Sequence, residues 1–389
     1  MTTVYPGSVD SLPRPSASTK TNASGFELHN VIDNISDAIE AVETQLGSTP
    51  AATVSLDYVR LGDGAGKGLW VPVAALGSPS LIDNGNYDNW QRGTGARTNT
   101  TTYSTDTSYA ADRMFTLPAG ASVTSQQSTT VPDAKSTSSL QINGAASVTT
   151  VDHGQRIRAA YASRYRTSLL FRAVVHNVTG AAFVPNLRIG TPSAADNFAS
   201  VTNRLNQALQ SCADNAWTEV YHVFDPSAYT NIANGLEVCL RVPSGSLVLG
   251  DVVRIAQFDL RTGTQRMPYL PPDPDLDALR CLPYYQRFTA AGSASTVFGT
   301  GYAFTTNLLL AFFPLRAIMR SDSPTLGISA AGDFGVPPSA GTVSSIGYSG
   351  GRHGGRLDVT TSASALTAGN AYQLQAANTN AWIELRADL

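Results

Sequence analysis

Residues Ser168 to His176 read Ser-Leu-Leu-Phe-Arg-Ala-Val-Val-His, a short apolar run rich in side chains that favour β-strands. Comparable runs, mostly β-branched or aromatic and bounded by Gly, Pro, Asn or Asp, occur at Ala121 to Ser125, Ser139 to Ile142, Trp217 to Phe224, Leu236 to Val242 and Val252 to Leu260. Because the strands are short and long polar loops separate them, they predict a jelly-roll β-sandwich over residues 80–265.

A second group of short strands follows a segment rich in proline and aspartate. Residues 266–291 include the stretch MPYLPPDPDLD, a composition typical of a stiff linker. Beyond it, Gly-rich turns separate runs at Leu308 to Pro314, Thr325 to Ser329, Leu357 to Thr361, Tyr372 to Ala376 and Ala381 to Ala387. We therefore predict a small, separate β-domain at residues 292–389 and a fold class that is mainly β.

Near the N-terminus the pattern is helical. Apolar residues spaced 4-3-4-3-4 form a heptad repeat, namely Leu28, Ile32, Ile35, Ile39, Val42 and Leu46. A capping box at Ser24 to Glu27 starts the predicted helix and Gly47 ends it. Isoleucine at both core positions favours three or more strands over two, so residues 25–47 predict a trimeric coiled coil. The alternative is an amphipathic helix that packs on its own domain.

The segments on either side of this helix lack a core of their own. Residues 1–24 combine three prolines with Ser and Thr, which predicts an extended arm that orders only against a partner. Residues 48–79 are interpreted as a connector, with a strand at Val54 to Leu61 and a flexible turn at Gly62 to Gly68.

Bulk composition excludes several classes of protein. The 389 residues are 42% hydrophobic but only 14% charged, with a net charge of -3 and no basic stripe, so nucleic acid is not an expected partner. The sequence shows neither a signal-peptide pattern nor an 18-residue apolar run, so neither secretion by a signal peptide nor membrane insertion is expected. Three cysteines without metal-type spacing predict reduced thiols.

Three stretches carry a resemblance to a known group of proteins. The first is LIDNGNYDNWQRGT at Leu81 to Thr94, followed by YAADRM at Tyr109 to Met114. The second runs from AQFDL at Ala256 to Leu260 through LRCLPYYQRF at Leu279 to Phe288. The third, weaker stretch is FPLRAIMRSDSPT at Phe313 to Thr325.

These stretches resemble jelly-roll modules and C-terminal β-domains in tail-fibre and appendage proteins of tailed bacteriophages. The resemblance covers roughly residues 80–389, and the arm with its heptad helix is similar to the virion-attachment end of such proteins. Met114 stands where tryptophan is commoner in the family. Trp90, Gln91 and Arg92 are interpreted as a core aromatic with flanking hydrogen bonds rather than as ligand contacts.

No motif predicts catalysis, a cofactor or a bound metal. Gly347 to Gly351 fits the G-x-S-x-G pattern, but a glycine-rich loop follows where a nucleophile elbow needs a helix. Asp273, Asp275 and Asp277 lack the glycine and distal glutamate of a calcium loop and are interpreted as a solvated linker. A glycosidase would need two carboxylates in a groove, and nothing in the sequence marks such a pair.

The sequence thus predicts a non-catalytic virion protein, assembled in the host cytoplasm, that forms a homotrimeric tail or baseplate fibre. Residues 1–47 would contact other virion proteins, and the outer domains would bind the host surface, with a surface glycan as the expected ligand. The candidate receptor contacts are Tyr302, Tyr348, Arg352, His353, Arg356 and Tyr372. The alternatives are a head or neck fibre or decoration protein and, third, a glycan hydrolase.

Replacing Ile35 by Asp should abolish trimer formation. In the predicted coil the substitution buries three carboxylates on one axis, where desolvation opposes their ionisation. Light scattering of the full chain measures the assembly mass. Asn34→Asp adds the same charge outside the heptad core and should leave a trimer. A trimeric Ile35→Asp chain would show that the helix does not drive assembly.

Overall fold

The computed structural model describes residues 58–62, 68–72 and 80–388, apart from 104–106, 166, 244, 267, 291, 338–340 and 363. The predicted arm and heptad helix lie outside the described residues, as do all six trimerisation residues. Within the unit formed by residues 1–77, strands β1 (Tyr58–Gly62) and β2 (Gly68–Pro72) pair antiparallel.

The unit formed by residues 78–389 begins with a β-sandwich. Its strands are β3 (Arg97–Asn99), β4 (Phe115–Ala119), β5 (Val123–Ser128), β6 (Ser139–Asn143), β7 (Thr150–Arg158), β8 (Leu169–Val178), β9 (Asn186–Ala194), β10 (Asn197–Ala208), β11 (Ala216–Phe224), β12 (Gly235–Val242) and β13 (Val252–Thr262). A short helix, α1 (Ala159–Ala162), follows β7. Antiparallel sheets in the orders β10-β9-β12-β7-β4 and β11-β8-β13-β6-β5-β3 enclose one apolar core.

The prediction of a mainly β chain with antiparallel sandwich sheets is confirmed. All six predicted runs between residues 80 and 262 overlap observed strands, and Ser168 to His176 lies almost entirely in the buried strand β8. Sequence reasoning missed β7, whose residues include Asp152, His153 and Gln155 yet are almost all buried. The His153 ring accounts for part of this, because it lies within hydrogen-bond distance of the Tyr87 hydroxyl (2.7 Å) and the Thr116 hydroxyl (3.0 Å).

The remaining elements belong to the C-terminal part of the same unit. They are α2 (Pro274–Cys281), β14 (Tyr285–Thr289), β15 (Val297–Ala303), β16 (Leu308–Phe313), β17 (Thr325–Ile328), β18 (Phe334–Gly335), β19 (Val343–Gly351), β20 (Gly354–Thr361), β21 (Ala371–Ala376) and β22 (Trp382–Arg386). A three-stranded sheet, β14-β22-β17, and a six-stranded sheet, β18-β21-β15-β16-β20-β19, share a second core. None of the helices described here is long and apolar enough to cross a bilayer.

Two of the aspartates interpreted as a solvated linker, Asp273 and Asp277, have structural roles. The Asp273 side chain caps helix α2 by accepting from the backbone N–H groups of Asp275 and Leu276. Asp277 is buried, and its Oδ1 accepts a hydrogen bond from the Asn84 backbone N–H at 3.0 Å. The interpretation as a solvated segment was wrong for Asp277. Asp277 and Cys281 are one helical turn apart and both lie on the buried side of α2.

The Asn-Gly pair of the first motif forms a tightly constrained turn. Asn84 has a positive φ of 58°, and its side-chain amide donates to the backbone carbonyls of Asn89 (2.9 Å) and Asp112 (2.8 Å). A Cβ on Gly85 would lie 2.0 Å from the Phe258 carbonyl oxygen, so no larger residue fits there. The motif is therefore a packing requirement against strand β13.

Arg92, from the same motif, joins the sandwich to the C-terminal part. Its guanidinium stacks 3.8 Å from the centroid of the Tyr285 ring and forms a fully buried ion pair with Asp388. Trp90 is 9% exposed and belongs to the sandwich core, as the sequence predicts for a core aromatic.

A second arginine repeats this arrangement. Arg113, from the YAADRM stretch, lies 3.4 Å from the centroid of the Tyr284 ring, and its Nη2 donates to the Arg156 carbonyl at 2.9 Å. Tyr284 and Tyr285 both come from the second motif. The two motifs therefore pack against each other through paired arginine and tyrosine side chains.

Asp388→Ala should lower the free energy of unfolding by about 3–5 kcal/mol, because it leaves the Arg92 guanidinium buried without its counter-ion. Urea denaturation measures the change. Asp322→Ala is the matched control, because that carboxylate is exposed and lies 3.8 Å from Arg352 Nε, so its loss should cost less than about 1 kcal/mol. Equal losses for the two variants would contradict a special role for the buried pair.

Candidate functional site

An arginine-lined cleft lies where the sandwich meets the C-terminal part. Its volume is about 540 Å³, within the range of sites for small organic ligands. Residues from both parts line it, and the charged and aromatic ones are Asp83, Arg113, Arg158, Tyr161, Tyr165, Arg280, Tyr284, Arg320 and Arg352. We refer to this feature as the arginine cleft.

Positive charge exceeds negative charge in the arginine cleft. Three of its arginines have acidic partners: Arg113 with Asp83 (3.3 Å), Arg320 with Asp196 (3.6 Å) and Arg352 with Asp322 (3.8 Å). The other two, Arg158 and Arg280, form no ion pair with any described residue. An anion entering the cleft would therefore meet two guanidinium groups, Arg158 and Arg280, that form no ion pair with a described residue.

Burial and mutual repulsion act on these cations. Burial lowers the pKa of Arg320, and the neighbouring charges of Arg113 and Arg158 lower that pKa further, while Asp196 opposes both effects. Arg158 lies 5.0 Å above the Tyr161 ring, and that ring is 45% exposed. The cleft thus combines crowded cations with an accessible aromatic face.

The six predicted receptor residues do not form one cluster. They divide among three locations of the C-terminal part: the outer face of the six-stranded sheet, its core face, and the tip of a hairpin. Residues paired directly across neighbouring strands lie on the same face of the sheet. The strand register therefore shows on which face each predicted residue lies. Tyr302 and Arg356 lie on the outer face, Tyr348 and Tyr372 on the core face, and Arg352 and His353 at the hairpin tip.

The glycine-rich segment from Gly347 to Gly355 belongs to this hairpin, which strands β19 and β20 form. Tyr348 pairs with the buried Leu357 and packs against the C-terminal core. A Cβ on Gly355 would approach the Tyr348 ring to 2.8 Å, so the glycine makes room for the tyrosine. Tyr348 is therefore partly buried against the C-terminal core rather than fully presented to solvent.

The outer face of the six-stranded sheet carries exposed aromatic side chains. Tyr302 is 50% exposed and Phe312 is 63% exposed, and Phe312 pairs directly with Arg356 on the adjacent strand. Arg356 Nε donates to Asp358 Oδ1 at 2.8 Å, which holds the guanidinium beside the aromatic residues. We call Tyr302, Phe312 and Arg356 the outer-face patch.

The described residues offer little to metal or thiol chemistry. No group of three or more His, Cys, Asp or Glu side chains among them is placed to hold a metal ion. Cys212, Cys239 and Cys281 are buried free thiols. Ser349 of the G-x-S-x-G pattern lies in β19 and hydrogen-bonds to Asp358 rather than to a histidine.

Comparison with known proteins gives no family. No protein-family model matches the chain, and no curated protein matches it. A CBM4 structure aligns over 47% of this chain and 99% of its own at 14% identity with a TM-score of 0.31. A xylan-binding domain from CBM 22 covers 44% of this chain and 96% of its own at 12% identity and a TM-score of 0.30.

The enzymatically active domain of bacteriophage CBA120 tailspike protein 4 aligns over 47% of this chain and 21% of its own, at 14% identity and a TM-score of 0.29. TM-scores near 0.3 are too low to establish a shared fold.

Tyr348→Ala should lower the free energy of unfolding by about 1–3 kcal/mol, because it removes a partly buried ring from the C-terminal core. Arg352→Ala should change it by less than about 0.5 kcal/mol, since that side chain is exposed and weakly paired. Thermal unfolding of both variants measures the difference. An unchanged Tyr348→Ala melting temperature would show that the ring does not pack as described.

Proposed function

We propose that this chain is a structural, non-catalytic virion protein of a tailed phage, a homotrimeric tail or baseplate fibre that binds the host surface. Residues 1–47 attach it to other virion proteins. The jelly-roll sandwich and the C-terminal β-domain are presented outward. The expected ligand is a host surface glycan.

The placement of the motifs supports the resemblance on which this proposal depends. Gly85 from the first stretch packs against Phe258 of strand β13, and Arg92 contacts Tyr285 and Asp388. Residues that fix the packing of two β-domains are the ones a shared architecture would require. Their burial leaves ligand binding to other surfaces.

The outer-face patch is the observation that carries the binding role. Tyr302 and Phe312 present exposed rings on a sheet whose opposite face forms the core, and Arg356 adds a fixed cation and hydrogen-bond donors. Aromatic faces beside polar groups suit sugars, which offer apolar C–H faces and hydroxyl groups. In a trimer, three such patches acting together would raise the apparent affinity by about 10²–10⁴ over one patch.

Phage that carry Tyr302→Ala together with Arg356→Ala should adsorb to host cells at least about tenfold more slowly, because each subunit loses its ring and its cation. Adsorption is measured as the loss of free phage over time. The purified variant should keep its melting temperature, since both side chains are exposed.

Leu249→Ala is the control, because Leu249 is 75% exposed and lies between strands β12 and β13 of the sandwich rather than in the C-terminal part. It should adsorb like the wild type. Normal adsorption of the double variant would remove the receptor role of the patch and favour a head or neck decoration protein.

A further inference from the structure

The arginine cleft is a separate feature from the outer-face patch and has no role in the proposed function. It brings together five arginines and one carboxylate, Asp83, among its described lining residues. Arg113 is 2% exposed, and its Nη1 has no hydrogen-bond partner among the described residues. A buried guanidinium donor without a protein acceptor is costly, so an acceptor bound in the cleft would relieve that cost.

Two further donors show the same deficit. The Nε atoms of Arg158 and Arg320 are buried and have no acceptor among the described residues. Arg158 and Arg280 also lack ion-pair partners in the part of the chain that the structure describes. Guanidinium groups bind carboxylates and phosphates through paired N–H donors, and such charge-assisted hydrogen bonds are strong.

The cleft also has features that suit a sugar. Its volume of about 540 Å³ exceeds the space that a bare inorganic anion needs. The Tyr161 ring, 45% exposed, offers a stacking face, and Ser80 and Gln155 in the lining add neutral polar groups. Ligand sites commonly combine such apolar faces with a few fixed polar groups.

We infer that the arginine cleft binds a saccharide that carries a carboxylate or phosphate group. The oxyanion lies against Arg158 and Arg280, and the sugar ring lies against Tyr161. The inference does not depend on the virion role, because it concerns a different surface and is tested with soluble ligands.

Isothermal titration of the purified full chain with glucuronate, glucose 6-phosphate, inorganic phosphate and glucose tests the inference. At least one of the two charged sugars should bind more tightly than inorganic phosphate. Glucose should bind at least about tenfold more weakly than that charged sugar, because glucose lacks the anionic group that pairs with arginine. Preference for glucuronate would identify a carboxylate site and preference for glucose 6-phosphate a phosphate site. Affinity should fall as salt rises.

Arg158→Gln and Arg280→Gln should each weaken binding of the preferred charged sugar at least about tenfold, because each removes a charged donor. Arg204→Gln is the control: it removes the same charge from strand β10, where Arg204 Nε donates to Thr191 Oγ1 at 2.7 Å. The control should bind like the wild type.

Three results would overturn the inference. They are equal binding of glucose and the charged sugars, binding of inorganic phosphate as tightly as both charged sugars, and unchanged affinity in the Arg158→Gln and Arg280→Gln chains. Normal melting temperatures of the variants show that any loss comes from the cleft rather than from unfolding. Slow adsorption of the outer-face variant, by contrast, reports on the proposed function alone.

Discussion

Arg92 of the sandwich and Asp388 of the C-terminal part form a buried ion pair across the junction of the two parts. Burial raises the pKa of the Asp388 carboxyl, while the charge and hydrogen bond of Arg92 lower it. Nearby, burial raises the pKa of Asp112 to about 7 against the opposing charge of Arg92. Buried charges are tolerated only when their partners are fixed in place. The sandwich and the C-terminal part must therefore keep one relative position, with Tyr285 held between them.

Much of the fold could be predicted from local composition. Strands such as β8 and β16 are runs of mostly apolar residues. Their hydrophobicity and their strand propensity both predict a buried β-strand. Strand β7 could not be found this way, because its polar residues are satisfied by partners distant in sequence, as with the His153 ring and the Tyr87 hydroxyl. Strand β19 could not be predicted because glycine disfavours strands. The space that glycines leave for the Tyr348 side chain exists only once the hairpin has formed.

The arginine cleft was not predictable from the sequence for a related reason. Its five arginines are scattered singly between residues 113 and 352, and the net charge of -3 gives no sign of a local excess of cations. Only Arg352 among them belongs to the predicted receptor contacts. Two of the cleft residues, Arg113 and Tyr284, do belong to the motif stretches. Their mutual contact is a tertiary property that neither stretch shows alone.

The contacts that join the two parts also shape the cleft. Arg113 stacks on Tyr284 at the junction and lines the cleft with the same side chain, so a shift of one part against the other would move a ligand contact. Repulsion among Arg113, Arg158 and Arg320 opposes the joined arrangement, and the aromatic and ionic contacts offset it. An anion that binds only the joined arrangement would relieve this repulsion and stabilise the folded chain in proportion to its affinity and concentration. Cleft occupancy and the rigidity of the domain junction are thus linked through one arginine.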